Sequence, residues 1–334
     1  MRAVLHIGTE KTGTTSLQVF MHENRASLLQ AGILYPEKLG GVNHRWIASY
    51  GLDPEAGDET FVALGLKDQD ALDAFRADVE ARLAEQVAAA SDARICFLSS
   101  EHLHSRLRTA DQVARVRDLL AGMFDEVEVH IHLRPQVDVA VSLASTSSRV
   151  GGRVGHDFFE RIRARQIYYN YDLLVSTWEE VFGADNVLCL PFKTQPDFLG
   201  YIARRMDLDL TGLPLPARVN EALDVRVMAM VNALVESGTP QRIDFRVLDM
   251  LPVEQKLTLD LATARRLQAR FEDSNRTLIA RRHDLAPGQL QPQWSRYPEE
   301  GNLDLLDEPC VFASSLADLV RHYNGLIRDL AKTR

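Results

Sequence analysis

Residues 5–18, LHIGTEKTGTTSLQ, constrain the fold more than any other stretch of the chain. An apolar run ends at Gly8, a short loop carries Gly13, and hydroxyl residues then open an amphipathic pattern. That order spells strand, loop, helix. Glycines let the backbone approach a ligand closely, and the amides that open a helix point donors and a positive dipole end at it, so the arrangement makes an anion trap. Gly8, Gly13 and Thr15 fall on the phosphate-loop pattern GxxxxGK[ST]. The lysine does not. Thr14 stands where it belongs, and Lys11 comes three residues early.

The rest of the chain supplies a frame for such a loop. Residues 3–7, 94–98, 127–133 and 187–191 are short β-rich runs, read as strands buried on both faces of a parallel sheet. Helical periodicity covers 17–28, with Gly32 as a stop, then 72–87 and 109–123. A further helix is expected from Pro135, since proline suits a first helical position. Strands alternating with helices predict an α/β fold, a single three-layer domain with a central parallel sheet and a ligand crevice at the carboxyl ends of its strands. Beyond about residue 195 the pattern is helical, over 222–235, 262–282 and 315–332. The expectation is one domain over 1–334, with a core at about 1–210 and a helical C-terminal region at about 211–334.

Bulk properties narrow the partners. A net charge of −9 argues against nucleic acid or an anionic membrane surface. No stretch approaches the ~20 apolar residues of a membrane span, and Met1 leads straight into the first strand without a signal-peptide pattern, so a cytoplasmic protein is expected. Cys96, Cys189 and Cys310 are widely spaced, which reads as free buried thiols in a reducing compartment. The strand at 94–98 runs into Ser99-Ser100-Glu101 with no aspartate at its tip to hold Mg²⁺, so no metal is expected.

Lys11-Thr12-Gly13-Thr14-Thr15-Ser16 resembles the 5′-phosphosulfate loop of sulfotransferases that use 3′-phosphoadenosine 5′-phosphosulfate (PAPS), whose lysine comes early in patterns such as Lys-Ser/Thr-Gly-Thr-Thr. Arg134, at the end of a strand, with Ser142 eight residues later, resembles the pair that contacts the 3′-phosphate in that family. Weaker similarity to bacterial members extends over roughly 1–285. It includes Trp178, Phe182-Gly183, a strand ending in Pro191-Phe192-Lys193, and the surroundings of Asn220 and Asn275. The C-terminal Arg-Lys-Gly loop of the small-molecule enzymes has no counterpart, and Arg149 and Arg153 are candidates for the rest of the 3′-phosphate site. The resemblance implies PAPS as co-substrate, bound by residues 11–16 with Arg134 and Ser142. Lys11 would place positive charge on the bridging oxygen as the S–O bond breaks, without a metal. The acceptor would be a hydroxyl or amine, and the similarity to bacterial glycan-modifying members implies a sugar hydroxyl.

In-line transfer needs a general base. Glu101 is the first candidate, with His44 in a Gly-rich connection and His102 and His104 beside Glu101 as alternatives. His102 and Arg149 are candidates for acceptor binding. Arg149, Arg153, Arg161, Arg163 and Arg165 surround Gly151, Gly152 and Gly155, either as a cationic lip or, for the last three, as a solvated helix face. Two other functions share the loop: a P-loop kinase of a small molecule or sugar, and a nucleotide-binding protein without chemistry.

Overall fold

The computed structural model describes residues 1–192, 198–215, 222–238, 253–308, 320, 323–325 and 328. In chain order its elements begin with β1 (Arg2–Gly8), α1 (Thr14–Glu23), α2 (Arg25–Gln30), β2 (Ile33–Leu34), α3 (Arg45–Gly51), α4 (Glu59–Leu64), α5 (Gln69–Ala89) and β3 (Ile95–Ser99). There follow α6 (His102–Arg106), α7 (Ala110–Ala121), β4 (Glu126–Leu133), α8 (Gln136–Arg149), α9 (His156–Glu160), α10 (Tyr171–Phe182) and β5 (Val187–Pro191). The last are α11 (Phe198–Arg205), α12 (Val225–Glu236), α13 (Leu261–Ala269) and α14 (Glu272–Arg281).

The strands form one parallel sheet in the order β2-β3-β1-β4-β5. β1 is central, so the loop after it emerges between the carboxyl ends of β3 and β4, where the crevice of an open parallel sheet lies. Residues 1–134, 165–219 and 273–290 form one compact unit around this sheet. On one face Ala3, Leu5, Ile7, Leu98, Ile131 and Leu133 pack with side chains of α3, α5, α7 and α10. On the other, Val4, Ile95 and Phe97 pack with Leu17, Phe20 and Met21 of α1, Leu28 of α2 and Ile202 of α11. Helix, sheet and helix make the three layers of the α/β fold that the alternation of periods predicts.

The described residues within 135–164, 220–272 and 291–334 form a second unit, whose main elements are helices α8, α9, α12 and α13. Asn232 on α12 is a buried cross-link within it: its side chain accepts from Val154 N (3.0 Å) and donates to Val154 O (2.6 Å) and Leu306 O (3.0 Å). This unit draws on 135–164 as well as on the C-terminal third, so the helical region is not confined to residues beyond 210.

Four details differ from the expected elements. The two-residue β2 was invisible to a period count. The helix expected over 17–28 breaks at Asn24, whose side-chain amide takes the Phe20 carbonyl at 2.9 Å and competes with the helical ladder. The helix over 262–282 is divided between α13 and α14. Pro135 is the extended residue before α8 (φ −49°, ψ 133°), not its first helical residue. Lys193, Asn220, Cys310 and most of 315–332 lie outside the described residues.

Candidate functional site

The glycine loop is built from left-handed backbone. Gly8 (φ 84°), Lys11 (φ 65°) and Gly13 (φ 77°) each turn the chain in a sense that residues with a Cβ rarely adopt. A Cβ on Gly8 would sit 3.3 Å from Glu10 N and 3.4 Å from both Glu101 Cβ and Thr14 Cγ2, so the space there is already taken. Gly13 precedes α1 without a side-chain cap, and the first turn holds no acid. The helix therefore offers its opening amides and dipole to a ligand rather than to its own side chains.

Neighbouring strands hold this loop in place. Thr9 donates to the His132 carbonyl at the end of β4 through its amide (2.8 Å) and its hydroxyl (3.0 Å). Thr12 Oγ1 donates to Thr9 O at 2.5 Å. Arg134 Nη1 donates to the Lys11 carbonyl at 2.7 Å, so the arginine at the tip of β4 converges on the loop. Ser142, half-buried, and Arg149, the final residue of α8, belong to the helical unit.

Glu101 lies two residues beyond the end of β3, and Oε2 of its carboxylate accepts from Gln18 Nε2 of α1 at 2.6 Å. The same amide donates to Ser99 Oγ at 3.2 Å. Behind Ser99 the row continues into the sheet, with His6 Nδ1 at 2.7 Å from Ser99 Oγ and His6 Nε2 at 3.2 Å from His132 Nδ1. Burial, assisted by neighbouring His130, pulls His6 down to about 3, and burial pulls His132 well below its ordinary value. Both imidazoles are neutral near pH 7 and act as uncharged hydrogen-bonding groups.

The three candidate histidines near Glu101 separate sharply. His44 is fully buried; its Nδ1 accepts from Ser99 N (3.1 Å) and its Nε2 donates to Pro36 O (2.7 Å). Burial takes it to about 4, against the opposing effect of the Pro36 carbonyl. With both ring nitrogens spent, it braces the end of β3 and has none left for an acceptor's proton. His104 is occupied in the same way, accepting from Glu10 N (3.2 Å) and donating to Tyr168 O (2.9 Å). His102 lies at the start of α6, where Arg45 Nη1 is 3.3 Å from its Nε2, and its Nδ1 is enclosed without a partner among the described residues.

Of the arginines around 149–165, two are spent on carboxylates. Arg153 meets Glu236 (2.9 Å), Asp307 (3.0 Å) and Asp157 (3.2 Å), and Arg161 pairs with Asp157 at 2.5 Å. Neither forms a free cationic lip. Among the described residues no cluster of three or more His, Cys, Asp or Glu could hold a metal ion, and no helix is long and apolar enough to cross a membrane.

Sequence reading did not single out Glu10, Gln18, Ser99, His6, His132, Tyr168 or Tyr171. One signal for part of the set was present. In β4, EVEVHIHL, polar and apolar residues alternate strictly, so Glu128, His130 and His132 share one face.

No family model matches this chain, and no curated protein matches it. Among solved structures it is similar to a sulfotransferase from Alicyclobacillus acidocaldarius, at 14% identity over 75% of this chain and 96% of that chain, with a TM-score of 0.37.

Proposed function

We propose that this chain is a PAPS-dependent sulfotransferase, transferring a sulfuryl group to a hydroxyl or amine of an acceptor, with a carbohydrate as the favoured class. One observation carries the reading: an uncapped helix start preceded by a loop whose single lysine is held in a left-handed turn. Residues at such conformations cost on the order of 1–3 kcal/mol and persist where the surroundings enforce them, which marks functional sites. The loop amides with the hydroxyls of Thr14, Thr15 and Ser16 would hold the 5′ end of the donor, while Thr12, expected among the ligands, is buried with its hydroxyl given to Thr9 O and braces the loop instead. Arg134 and Ser142 are assigned to its 3′-phosphate. When bound, the donor supplies an activated sulfuryl group. Lys11 then places a cation where negative charge develops on the departing oxygen, the role that a metal fills in nucleotide-triphosphate sites.

Glu101 takes the proton of the acceptor. It stands at a strand end beside the loop, and its carboxylate is oriented by Gln18. Engagement of the ring nitrogens of His44 and His104 leaves Glu101 and His102 as the base candidates, and the oriented carboxylate of Glu101 is taken as the base. His102 is assigned to acceptor contact. The buried thiols of Cys96 and Cys189 support a reducing, cytoplasmic setting.

Calorimetry with adenosine 3′,5′-bisphosphate and, separately, ATP–Mg²⁺ tests the donor. The bisphosphate is expected to bind and ATP–Mg²⁺ to compete poorly. Tight binding of ATP–Mg²⁺ with none of the bisphosphate would establish the kinase reading instead. For the chemistry, Glu101→Gln should lower turnover of labelled PAPS on saccharide acceptors by roughly 10²–10⁴-fold.

A further inference from the structure

Within residues 8–13, Lys11 is the non-glycine residue with positive φ. A side chain with a Cβ does not choose that conformation unaided, and two hydrogen-bonded arms reach it from one segment. On its N-terminal side, the Glu10 amide donates to His104 Nδ1 (3.2 Å), and the Glu10 carboxylate accepts from the Tyr168 hydroxyl (2.8 Å). His104 closes that arm by donating to the Tyr168 carbonyl (2.9 Å), with the two rings 4.5 Å apart. On its C-terminal side, the Lys11 carbonyl accepts from Arg134 Nη1 (2.7 Å), and the Arg134 carbonyl accepts from the Tyr171 hydroxyl (2.6 Å). Tyr168 and Tyr171 lie three residues apart where the chain enters α10.

Glu10 makes the arrangement informative. A carboxylate in a loop that receives an anion repels its ligand unless its charge is directed elsewhere, and Tyr168 draws it away into a half-buried hydrogen bond. Tyr171 is fully buried, yet its hydroxyl is spent on a backbone carbonyl beside the loop.

We infer that Tyr168 and Tyr171 are positioning residues: acting through Glu10 and Arg134, they hold Lys11 in its left-handed turn, so that the loop meets an anion already formed. Preorganisation of this kind appears as affinity, because the ordering cost is met during folding instead of on binding. The anion in question rests on the sulfotransferase reading; the clamp itself does not.

Tyr→Phe keeps each ring and removes only the hydroxyl. Tyr168→Phe and Tyr171→Phe are each expected to weaken binding of adenosine 3′,5′-bisphosphate about fivefold in calorimetry. In the ligand-free protein, amide hydrogen exchange over 9–14 should quicken at least about fivefold while β4 amides keep their rates. Unchanged affinity with unchanged exchange would overturn the clamp, and so would exchange that quickens equally in β4, which marks general loosening. If the unaltered protein binds ATP–Mg²⁺ but not the bisphosphate, the donor reading fails and the clamp is read with ATP–Mg²⁺. If it binds neither, the exchange measurement alone decides the clamp.

Discussion

The two faces of the central sheet are built from different materials. One carries Ala3, Leu5 and Ile7 of β1, Cys96 and Leu98 of β3, and Val129, Ile131 and Leu133 of β4, a hydrocarbon surface under α3, α5, α7 and α10. The other begins apolar with Val4, Ile95 and Phe97 but turns polar toward the strand ends, where Ser99, His6 and His132 join Gln18 and Glu101. His6 pairs in register with Ser99 and His130. The first face stabilises through buried area, at roughly 25 cal/mol per Å². The second buries imidazoles that must stay neutral and hydrogen-bonded, which adds little stability but fixes the carboxylate above it. Stability and site support are thus divided between the two sides of the same strands.

Acid should expose this division most strongly. His6 is held at about 3 in the fold and regains its ordinary value of 6.5 when unfolded. Between those values the unfolded chain binds a proton that the folded one refuses, so stability is full above about pH 6.5 and falls as pH drops toward 3. The loss from His6 alone is on the order of 4 kcal/mol by pH 3, and His44, held at about 4, adds to it in the same direction. Denaturant midpoints measured across this range should fall steeply for the native protein and less steeply for His6→Leu; equal slopes would contradict the buried-imidazole account. The hydrocarbon face should answer differently. Leu98→Ala, at a fully buried position, should lower stability by about 2–5 kcal/mol at every pH and leave the slope unchanged.

The difference between the faces also explains what could be read without coordinates. Short β-rich runs revealed four of the five strands; three are nearly all apolar, as burial on both sides of a parallel sheet favours, while β4 alternates and buries His130 and His132 on one face. Lys11 and Arg134 were legible because glycine spacing and a strand end locate them locally, and the structure brings Arg134 to the carbonyl of Lys11. His44 misled: a histidine in a Gly-rich connection looks available, and only the distant contacts with Pro36 O and Ser99 N show it to be fully engaged. Gln18 and Tyr168 were hidden for the same reason. A glutamine in a helix and a tyrosine before one carry no local signal; their roles come from partners 83 and 158 residues away in sequence.

Smaller changes separate parts of the polar face. Ser99→Ala removes the hydroxyl that joins Gln18 to His6 within the sheet, at an expected cost of about 1–3 kcal/mol in denaturation. Turnover should fall more than in Leu98→Ala at matched stability, since Gln18 loses one of its two anchors. An activity loss no larger than that of Leu98→Ala would mean that the row supports the fold alone.

At the far end of the row, Glu128 gives the weakest effect with a distinct signature. Its carboxyl is held at about 2, chiefly by its hydrogen bond with His130, and Arg2 (3.7 Å) and Arg205 (3.4 Å) lie beside it. A depressed carboxyl contributes stability that is present above its ordinary value of 4.5 and disappears as pH falls toward 2. Its pH window therefore begins below the middle of the His6 window. Partial exposure and salt screening limit the contribution to about 1 kcal/mol. Glu128→Gln should flatten the stability curve below pH 4.5 and leave the stretch from 6.5 to 4.5 as steep as before. A change in the upper stretch instead would show that Glu128 controls the protonation of the imidazoles above it, and the polar face would then titrate as one unit from end to end.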